Sequence, residues 1–432
     1  MSLSQSGEAL AHPRVADDLY RPQSQTAAAR PLVGDLWLSL HDDLEPLREV
    51  WQAFEAGADC TIFQTFAWHA IWQADVGART GVTPAIVVGR RGERILFILP
   101  FAIEKAKFLR RLVWHASDLC DYNGPLLAPD FAGTIGSERF PGLFDEIVRR
   151  LRADPRFGID AIVLEKMPEM IGSQPNPLLG LRTTLHPSGA YLARLTGDWD
   201  AFYFAKRSSA TRRRDRTKRK RLGDLGEVRF VTPDNTAERT ANLGVLIGQK
   251  RKAFARAGIP DLFARPGNEA FFLDCAADPA MAGRVHISRL DVAGEPAALN
   301  FGLIFHGCYY HVLASYADGE ASRFGPGAAH LHDLMRYAIE HGCTEFDFTI
   351  GDEPYKRDWA DCELKLYDHR SAVTPIAWLA SLPAAMRARG KRLIKQNAVL
   401  WPLAQKVRAR LGRFSGRRPA PAAPVVDEDA EG

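Results

Sequence analysis

The segment Phe346-Asp-Phe-Thr-Ile-Gly-Asp-Glu-Pro-Tyr-Lys-Arg-Asp-Trp359 joins an apolar strand to a polar turn, and this junction decides the fold. Its first residues alternate, so the two Phe side chains share one face while Asp347 and Thr349 share the other. Gly351 ends the strand, and Pro354 cannot continue a β ladder. The charged and aromatic residues that follow therefore lie on a loop at the carboxyl end of a strand, where α/β sheets bind ligands. A solvated loop whose charges only neutralise each other is the alternative.

The composition describes a globular protein of more than one domain. The chain has 432 residues, of which 46% are hydrophobic and 25% charged, as in ordinary soluble proteins. Its longest apolar stretch, residues 95–103, is about half the length of a membrane-spanning helix, and the first thirty residues lack the apolar region of a secretory signal. The six cysteines form no Cys-x-x-Cys pair, which favours free thiols and a cytoplasmic location.

The sequence lacks the commonest motifs of hydrolases, metalloproteases and nucleotide-hydrolysing enzymes. His306, Cys308 and His311 lie close together in sequence, but on a strand the first two face the opposite side from the third. We therefore predict no metal site.

Positive charge is concentrated in two segments. Residues 206–221 contain ten Lys and Arg with one Asp, and residues 387–418 contain eleven Lys and Arg without an acid. The first segment has no large apolar residue, so a helix there lies on solvent, on an anionic partner or against the acidic remainder of the chain. Because no aromatic residue interrupts it, phosphates or a membrane surface are favoured over nucleic acid.

The order of predicted elements indicates an α/β protein with two folded units. Residues 1–30 are rich in Ser, Gln, Ala and Pro and are predicted to be a disordered leader. Residues 31–187 contain two helices, then strands and a helix in an order close to βββαβ, and end in a proline-rich linker. Residues 188–380 contain a strand, the basic helix, two further helices, an antiparallel meander and a helix that precedes the opening segment. Residues 381–432 are a basic amphipathic tail with an acidic end.

Residues 344–360 resemble the signature of the CelD/BcsL family, GNAT-like acyltransferases associated with bacterial cellulose and exopolysaccharide production. Residues 322–342 and Phe63-Gln-Thr-Phe-Ala-Trp68 also look like that family, and the resemblance covers about residues 45–375. A more distant similarity is to FemABX-type aminoacyl transferases, which use two tandem GNAT-like halves and carry an aromatic-Lys element comparable to Tyr355-Lys356. The resemblance implies two tandem GNAT-like domains with mixed, mainly antiparallel sheets flanked by helices. It also implies transfer of an acyl group from acyl-CoA, with acetyl-CoA the first candidate, to an amine or hydroxyl.

Residues 317–327 lead from a strand into a helix and contain glycines that allow backbone N–H groups to approach an anion. The GNAT pattern Gln/Arg-x-x-Gly-x-Gly/Ala fits only partly, since its basic position falls on Ser322. The predicted donor-binding residues are Ser322, Arg323, Gly325, Gly327 and Ala328. A plain helix-entry turn and a FemABX-like donor such as aminoacyl-tRNA are the alternatives. His330 and Asp333, on the polar side of the following helix, are predicted to face solvent.

Acyl transfer requires a base, a donor carbonyl within reach of the acceptor, and stabilisation of the tetrahedral oxyanion. The predicted base is Asp347 or Asp352, and Lys356 is predicted to stabilise the oxyanion or a phosphate. A structural ion pair of Asp347 with Lys356 or Lys365 is the alternative. The predicted catalytic set is Asp347, Asp352, Tyr355 and Lys356. The predicted acceptor-binding residues are Asp118, Asp121, Tyr122, Glu353 and Trp359.

The composition of the tail suits a helix on an anionic membrane, with a polysaccharide synthase as neighbour, while docking onto the acidic body is the alternative. The expected acceptor is a small molecule or a polysaccharide precursor. The expected location is the cytoplasm or the inner face of the plasma membrane. A non-catalytic accessory protein of a membrane synthase is the alternative function.

Overall fold

The structure, a computed structural model, describes residues 35–380. The predicted leader and the predicted amphipathic tail lie outside the described residues. Within residues 35–380, no helix is both long enough and apolar enough to cross a membrane.

The first half of the chain contains nine strands and five α-helices among the described residues. The strands are β1 (Leu36–His41), β2 (Thr83–Arg91), β3 (Arg94–Ala106), β4 (Leu109–Trp114), β5 (Leu126–Leu127), β6 (Ala161–Pro168), β7 (Met170–Ile171), β8 (Gln174–Pro175) and β9 (Thr183–Leu185). The helices are α1 (Arg48–Glu55), α2 (Phe66–Trp72), α3 (Ala78–Thr80), α4 (Phe131–Thr134) and α5 (Gly136–Ala153). A π-helical turn, Gln73–Gly77, joins α2 to α3.

The second half alternates strands with longer helices. The strands are β10 (Ala190–Arg194), β11 (Val228–Val231), β12 (Val285–Val292), β13 (Glu295–Phe305), β14 (Cys308–Tyr316), β15 (Glu345–Ile350), β16 (Cys362–Leu364) and β17 (Leu366–Ala372). The helices are α6 (Trp199–Lys206), α7 (Ser209–Leu225), α8 (Thr236–Ala257), α9 (Asn268–Ala277), α10 (Pro326–Glu340) and α11 (Pro354–Arg357).

Two large sheets organise the described residues. The first has the order β1-β2-β3-β4-β6-β17-β9, with β5 beside β3, and the second has the order β11-β12-β13-β14-β15-β10-β16. The pairs β4–β6 and β14–β15 are parallel, and the other pairs of these sheets are antiparallel. The predicted fold class, two units with mixed and mainly antiparallel sheets, is therefore confirmed.

The last strand crosses between the units. The sequence assigned residues 188–380 to the second unit, but β17 pairs with β6 and β9 of the first sheet. Tyr367 lies opposite Met167 and Leu185. The sequence analysis did not predict this strand, because its residues do not alternate between apolar and polar and hydrogen bonds between segments about 200 residues apart leave no mark on the local pattern.

One hydrophobic core joins the two units. Val87 faces α5, whereas its neighbours Ile86 and Val88 face the opposite side of the first sheet. On that side α1 and α2 meet α8 and α9, and the rings of Trp68 and Phe271 lie edge to face with centroids 4.7 Å apart. The helices α6, α7 and α10 cover the far face of the second sheet. The two sheets are therefore held in a fixed relation by apolar burial.

The basic run forms the end of α6 and most of α7. Ser208 caps α7 by accepting a hydrogen bond from the N–H of Thr211. Leu222 is fully buried, and Arg219 forms an ion pair of 2.7 Å with Asp333 of α10. Of the three environments expected for this helix, it therefore occupies two, because one side docks on the protein while the other faces solvent.

Candidate functional site

The parallel strands β14 and β15 separate part of the way along their length. They pair only through Cys308–Tyr310 and Glu345–Asp347, although β14 continues to Tyr316 and β15 to Ile350. A cavity of about 550 Å³ occupies the gap. We call it the larger cavity; its walls include Lys250, His311, Gly327, Thr349, Glu353 and Lys356. A cleft between two strand ends is a common place for a ligand.

Lys356 lies in the wall of the larger cavity and is 4% exposed. Its Nζ donates hydrogen bonds to the carbonyls of Ile350 (2.8 Å) and Thr349 (3.4 Å) and pairs with Glu353 at 3.0 Å. Gly351 allows this approach, because a Cβ there would lie 2.9 Å from Nζ. Burial raises the pKa of Glu353, but its hydrogen bond and ion pair with Lys356 bring the pKa below its ordinary value. Lys356 therefore presents a fixed, partly neutralised charge.

Lys250 and His311 also line the larger cavity, and the sequence analysis did not place either of them in the site. Burial lowers the pKa of Lys250, and the positive charge of Lys356 acts in the same direction. Burial, with Lys356 and Lys250, lowers the pKa of His311 to about 3, so its imidazole is neutral. A signal for Lys250 was visible, because it continues the buried stripe of α8 that contains Leu246 and Ile247.

A smaller cavity of about 390 Å³ contains Asp347. It lies between the two units and has walls from both, including Cys60, Tyr122, Leu192, His306 and Glu363. Asp347 is 3% exposed, and its Oδ1 accepts hydrogen bonds from the Tyr122 hydroxyl (2.6 Å) and the Thr349 N–H (2.7 Å). Burial raises the pKa of Asp347 to about 7, against the lowering effect of both hydrogen bonds. Asp347 therefore has the pKa of a general base that works near neutral pH.

Thr349 links the walls of the two cavities, because it lines the larger cavity and its N–H bonds to Asp347 in the smaller one. Its φ of 59° is unusual for a β-branched residue. The strained backbone is held by its N–H bond to Asp347, by its Oγ1 contact to the His311 carbonyl (3.3 Å), and by a hydrogen bond to Asp121. Because Asp121 lines the larger cavity and Tyr122 the smaller, one turn of the first unit reaches both. Backbone strain of this kind occurs most often at functional sites.

Side chains from three sequence regions fix the loop that carries Asp121 and Tyr122. Gln64 donates from Nε2 to the Tyr122 carbonyl at 2.9 Å, which brings the Phe63–Trp68 segment to the site. Lys166 Nζ donates to the carbonyls of Ser117 and Cys120, and Asn123 donates to the Glu165 carbonyl at 3.0 Å. Segments that resemble the same family in the sequence are thus brought together although Tyr122 and Asp347 are 225 positions apart.

The first turn of α10 lies at the edge of the larger cavity, beside the basic helix. Gly325 adopts φ 64° as the N-cap, Pro326 begins the helix, and Gly327 and Ala328 line the cavity. A Cβ at Gly325 would lie 3.9 Å from the Cδ of Lys218, and the guanidinium of Arg221 lies 5.9 Å from the ring centroid of Phe324. The N-terminus of α10, with its helix dipole and the Gly327 N–H, therefore lies beside Lys218 and Arg221 of α7, which fits the phosphates of an acyl-CoA.

Two of the predicted donor-binding residues have no evident role there. The Ser322 hydroxyl donates to the Gly319 carbonyl at 2.6 Å within its own turn. Arg323 is exposed. The positive charges near the α10 N-terminus come instead from α7, which the local Gly-rich pattern did not indicate.

Of four further predicted residues, two lie apart from the cavities and two line the larger one. Asp352 is exposed and lines neither cavity in the described part of the chain. Asp118 accepts a hydrogen bond from the Trp72 indole at 2.9 Å and is likewise outside both linings. Trp359 is 2% exposed and stacks on Phe202 with centroids 6.2 Å apart, so it supports the core at the edge of the larger cavity. Tyr355 lines the larger cavity and is 40% exposed.

The structure also corrects the expectations for the pair on α10 and for the charge pair of Asp347. His330 is 2% exposed, and its Nε2 lies 3.0 Å from the Ser288 hydroxyl, whereas a solvent position was predicted. Asp333 pairs with Arg219 of α7, which covers the polar side of α10. Asp347 forms no ion pair with Lys356 or Lys365 among the described residues; it and Lys356 line different cavities. No cluster of His, Cys, Asp and Glu within residues 35–380 has the arrangement of a metal site.

Comparisons with known proteins agree with this architecture. Residues 209–357 match the family model described as an acetyltransferase (GNAT) domain. No curated protein matches the chain by sequence. The structure of FemX is similar with a TM-score of 0.51 at 12% identity, over 74% of this chain and 95% of that one. L-PGS from Bacillus licheniformis gives 0.46 at 12% identity over 77% and 95% of the two chains. A tandem GNAT protein from the clavulanic acid biosynthesis pathway gives 0.38 at 11% over 79% and 99%. The similarity to FemX is one of fold, and residues 209–357 of the second unit are similar to a GNAT acetyltransferase domain.

Proposed function

We propose that this protein is an acyl-CoA-dependent acyltransferase whose donor binds in the larger cavity. The observation that carries the proposal is the separation of β14 and β15 into a 550 Å³ cavity directly beside the N-terminus of α10. The phosphates of the donor would lie against Gly327, Lys218 and Arg221. Its acyl end would reach Thr349. Acetyl-CoA is the first candidate, on the strength of the family match.

In the proposed reaction an amine or hydroxyl attacks the thioester carbonyl near Asp347. An amine enters protonated and gives its first proton to the Asp347 carboxylate, since the pKa of that group is about 7. The nitrogen lone pair then forms the C–N bond, and the C–S bond breaks. The CoA thiolate leaves with the bonding electrons and takes up the second proton from the nitrogen. The Tyr122 hydroxyl and the Thr349 N–H hold Asp347 in position for this proton transfer.

We further propose that the acceptor belongs to cellulose or exopolysaccharide biosynthesis. This step rests on the resemblance of residues 344–360 and 63–68 to the CelD/BcsL family. It also agrees with the convergence of Gln64, Tyr122 and Asp347 at one site. Contact of the basic tail with a membrane or a synthase rests on the sequence alone.

Transfer of an aminoacyl group from aminoacyl-tRNA is the second candidate. It is supported by the likeness of fold to FemX and by the exposed side of α7, where Arg213, Arg216 and Lys220 face solvent beside the donor site. A nucleic acid bound there would be held by phosphate contacts, and its affinity would fall steeply with salt.

The two candidates are separated by measuring the binding of acetyl-CoA and of aminoacyl-tRNA to the full-length protein by calorimetry and by thermal stabilisation. Acyl-CoA transfer predicts a rise of the melting temperature with acetyl-CoA and release of CoA thiol when an acceptor is added. Stabilisation by aminoacyl-tRNA alone would favour the second candidate. Binding of neither donor would contradict both and favour an accessory role.

A further inference from the structure

The smaller cavity is strongly acidic. Asp59, Glu169, Glu345, Asp347 and Glu363 line it, and the only ammonium group among its lining residues is that of Lys365. His306 also lines it, but burial and the nearby Arg284 lower the pKa of that imidazole. The larger cavity, in contrast, combines its carboxylates with Arg207, Lys250 and Lys356. The electrostatic potential inside the smaller cavity therefore favours a cation.

Three of the five carboxylates keep acceptor oxygens for a ligand, whereas Asp59 accepts hydrogen bonds from Ser173 and Gln174, and Glu169 accepts one from Tyr367. The Oδ2 oxygen of Asp347, a side chain 3% exposed, receives no hydrogen bond from residues 35–380, because both bonds to this group end on Oδ1. Glu345 and Glu363 form neither hydrogen bonds nor ion pairs through their side chains in the same part of the chain. Oδ2 of Asp347 is not among the buried polar atoms that lack a partner within residues 35–380, so it is accessible from the cavity and can accept a hydrogen bond from a ligand there.

The acidic groups are also spread out. No three acidic, His or Cys side chains within residues 35–380 are close enough together to hold one metal ion. Asp347 lies deep in the cavity, whereas Glu363 is exposed and Glu345 is half-buried. An extended cation with separate charges matches this distribution better than a compact one.

We propose that the smaller cavity binds the acyl acceptor, and that this acceptor is an amine with a second positive charge. The reacting amine donates to the free Oδ2 of Asp347, and the second cationic group lies between Glu345 and Glu363. This inference rests on the proposed function, because it assigns an acceptor to the reaction whose donor occupies the larger cavity. It goes further by excluding neutral hydroxyl compounds as the preferred acceptors.

The volume agrees with such a ligand. About 390 Å³ lies within the range of small-molecule sites and is enough for a short diamine. The wall also contains Tyr122, Tyr310 and Phe305, whose rings cover the apolar part of an amine. The amine at Asp347 and the acyl end at Thr349 would be neighbours, because the Thr349 N–H donates to Asp347 at 2.7 Å.

The test is calorimetric titration of the full-length protein, without donor, using 1,4-diaminobutane, 1-aminobutane and 1,4-butanediol. These probes have similar length and carry two, one and no positive charges. We expect the diamine to bind about tenfold more tightly than the monoamine at low salt, the diol not to bind, and the preference to shrink at about 0.5 M NaCl. The double substitution Glu345→Gln/Glu363→Gln should weaken diamine binding about fivefold and monoamine binding less than twofold.

The control is Glu340→Gln, which removes an exposed carboxylate on α10 and should leave all three affinities unchanged. Equal affinities for the three probes, or no effect of the double substitution, would overturn the inference. So would binding of Mg²⁺ or Ca²⁺ that displaces the diamine. A parallel titration with acetyl-CoA separates the two proposals. Acetyl-CoA binding without a preference for the diamine rejects the acceptor assignment alone. Diamine binding without acetyl-CoA binding rejects the acyl transfer and leaves only a cation site.

Discussion

The two units contain the same parallel strand pair but use the space beyond it differently. In the first unit β4 and β6 pair through Arg111–Val113 and Ala161–Val163, and in the second β14 and β15 also pair over three residues. Past that point the loop 115–123 of the first unit bonds to β6, since Asn123 reaches the carbonyls of Glu165 and Lys166. In the second unit the strands separate around the larger cavity.

This difference explains why the larger cavity lies in the second unit and the first unit contributes only a loop to its wall. The loop beside β6 is rigid because Lys166 and Asn123 satisfy its polar groups. Its far end carries Asp121 and Tyr122 to the second unit. The first unit therefore has a fixed loop where the second unit has a cavity, and this loop supports the site.

The largest effect is expected from removing the carboxylate of Asp347, which lies on the second unit and accepts a hydrogen bond from Tyr122 of the first. Asp347→Asn preserves the shape of the side chain but cannot accept a proton, so kcat should fall about 100-fold or more. In the wild type, the rate should rise as the pH passes through about 7. That rise should be missing in the variant. Asp352→Asn, a solvent-exposed change on the same turn, is the control, and an equal loss in both variants would contradict the base role.

Filling the larger cavity of the second unit should make the space beyond β14 and β15 resemble the closed space beyond β4 and β6. Ala328→Trp places a large side chain at an exposed position of the larger cavity, so the affinity for acetyl-CoA should fall about 100-fold while the melting temperature stays the same. Calorimetry and thermal unfolding measure the two quantities. Unchanged donor affinity in the folded variant would place the donor elsewhere.

The unfolding free energy of the protein should depend on pH through the carboxylate of Asp347. The pKa of Asp347 is about 7 in the folded protein and about 3.9 in an unfolded chain. Its contribution to stability is therefore fully present below pH of about 4 and is lost as the pH rises through 7. Relative to the wild type, Asp347→Asn should gain on the order of 1–3 kcal/mol of unfolding free energy between pH 4 and pH 8. Denaturant titrations at both pH values measure this, and a constant difference would contradict the raised pKa.

Removing the hydrogen bonds of Asn123 should loosen the loop 115–123 of the first unit. Asn123→Ala removes the hydrogen bonds to the Ser117 hydroxyl (3.1 Å) and the Glu165 carbonyl, at a cost of about 1–2 kcal/mol in unfolding free energy. Because Tyr122 is the adjacent residue, kcat should also fall. Gln52→Ala, an exposed change on α1, is the control. A loss of stability without any loss of kcat would mean that the loop does not position the site.

The smallest effect is expected from removing Lys218 and Arg221, the positive charges of α7 beside the N-terminus of α10. Lys218→Gln/Arg221→Gln should raise the KM for acetyl-CoA about threefold to tenfold without changing kcat, and the difference should shrink at high salt. Arg229→Gln, which removes one exposed positive charge on the edge strand β11, is the control, and its effect is compared with half of the effect of the double substitution. An effect of equal size in the control would indicate general electrostatics rather than a donor contact.

Much of the fold followed from local patterns. The meander over β12, β13 and β14, the stripe of α10 and the strand Glu345–Ile350 lie where periodicity and turn residues predicted them. Lys356, Glu353 and Gly327 were expected near a site from one short segment and one glycine loop, and they do line one cavity. The sequence could not indicate that Asp347 and Lys356 line different cavities, because this depends on the positive φ of Thr349 between them and on contacts with the first unit.

The sequence by itself determined many of the strands and helices, among them β12 to β15 and α10, and that residues 346–359 form a polar turn after a buried strand, since these properties depend on neighbours along the chain. The tertiary structure alone decided that β17 returns to the first sheet, that Tyr122 meets Asp347, and that Asp347 and Lys356 line different cavities. The physical reason is that hydrogen bonds, burial and charge in a site depend on distances in space, which residues far apart in sequence acquire only when the two units pack together.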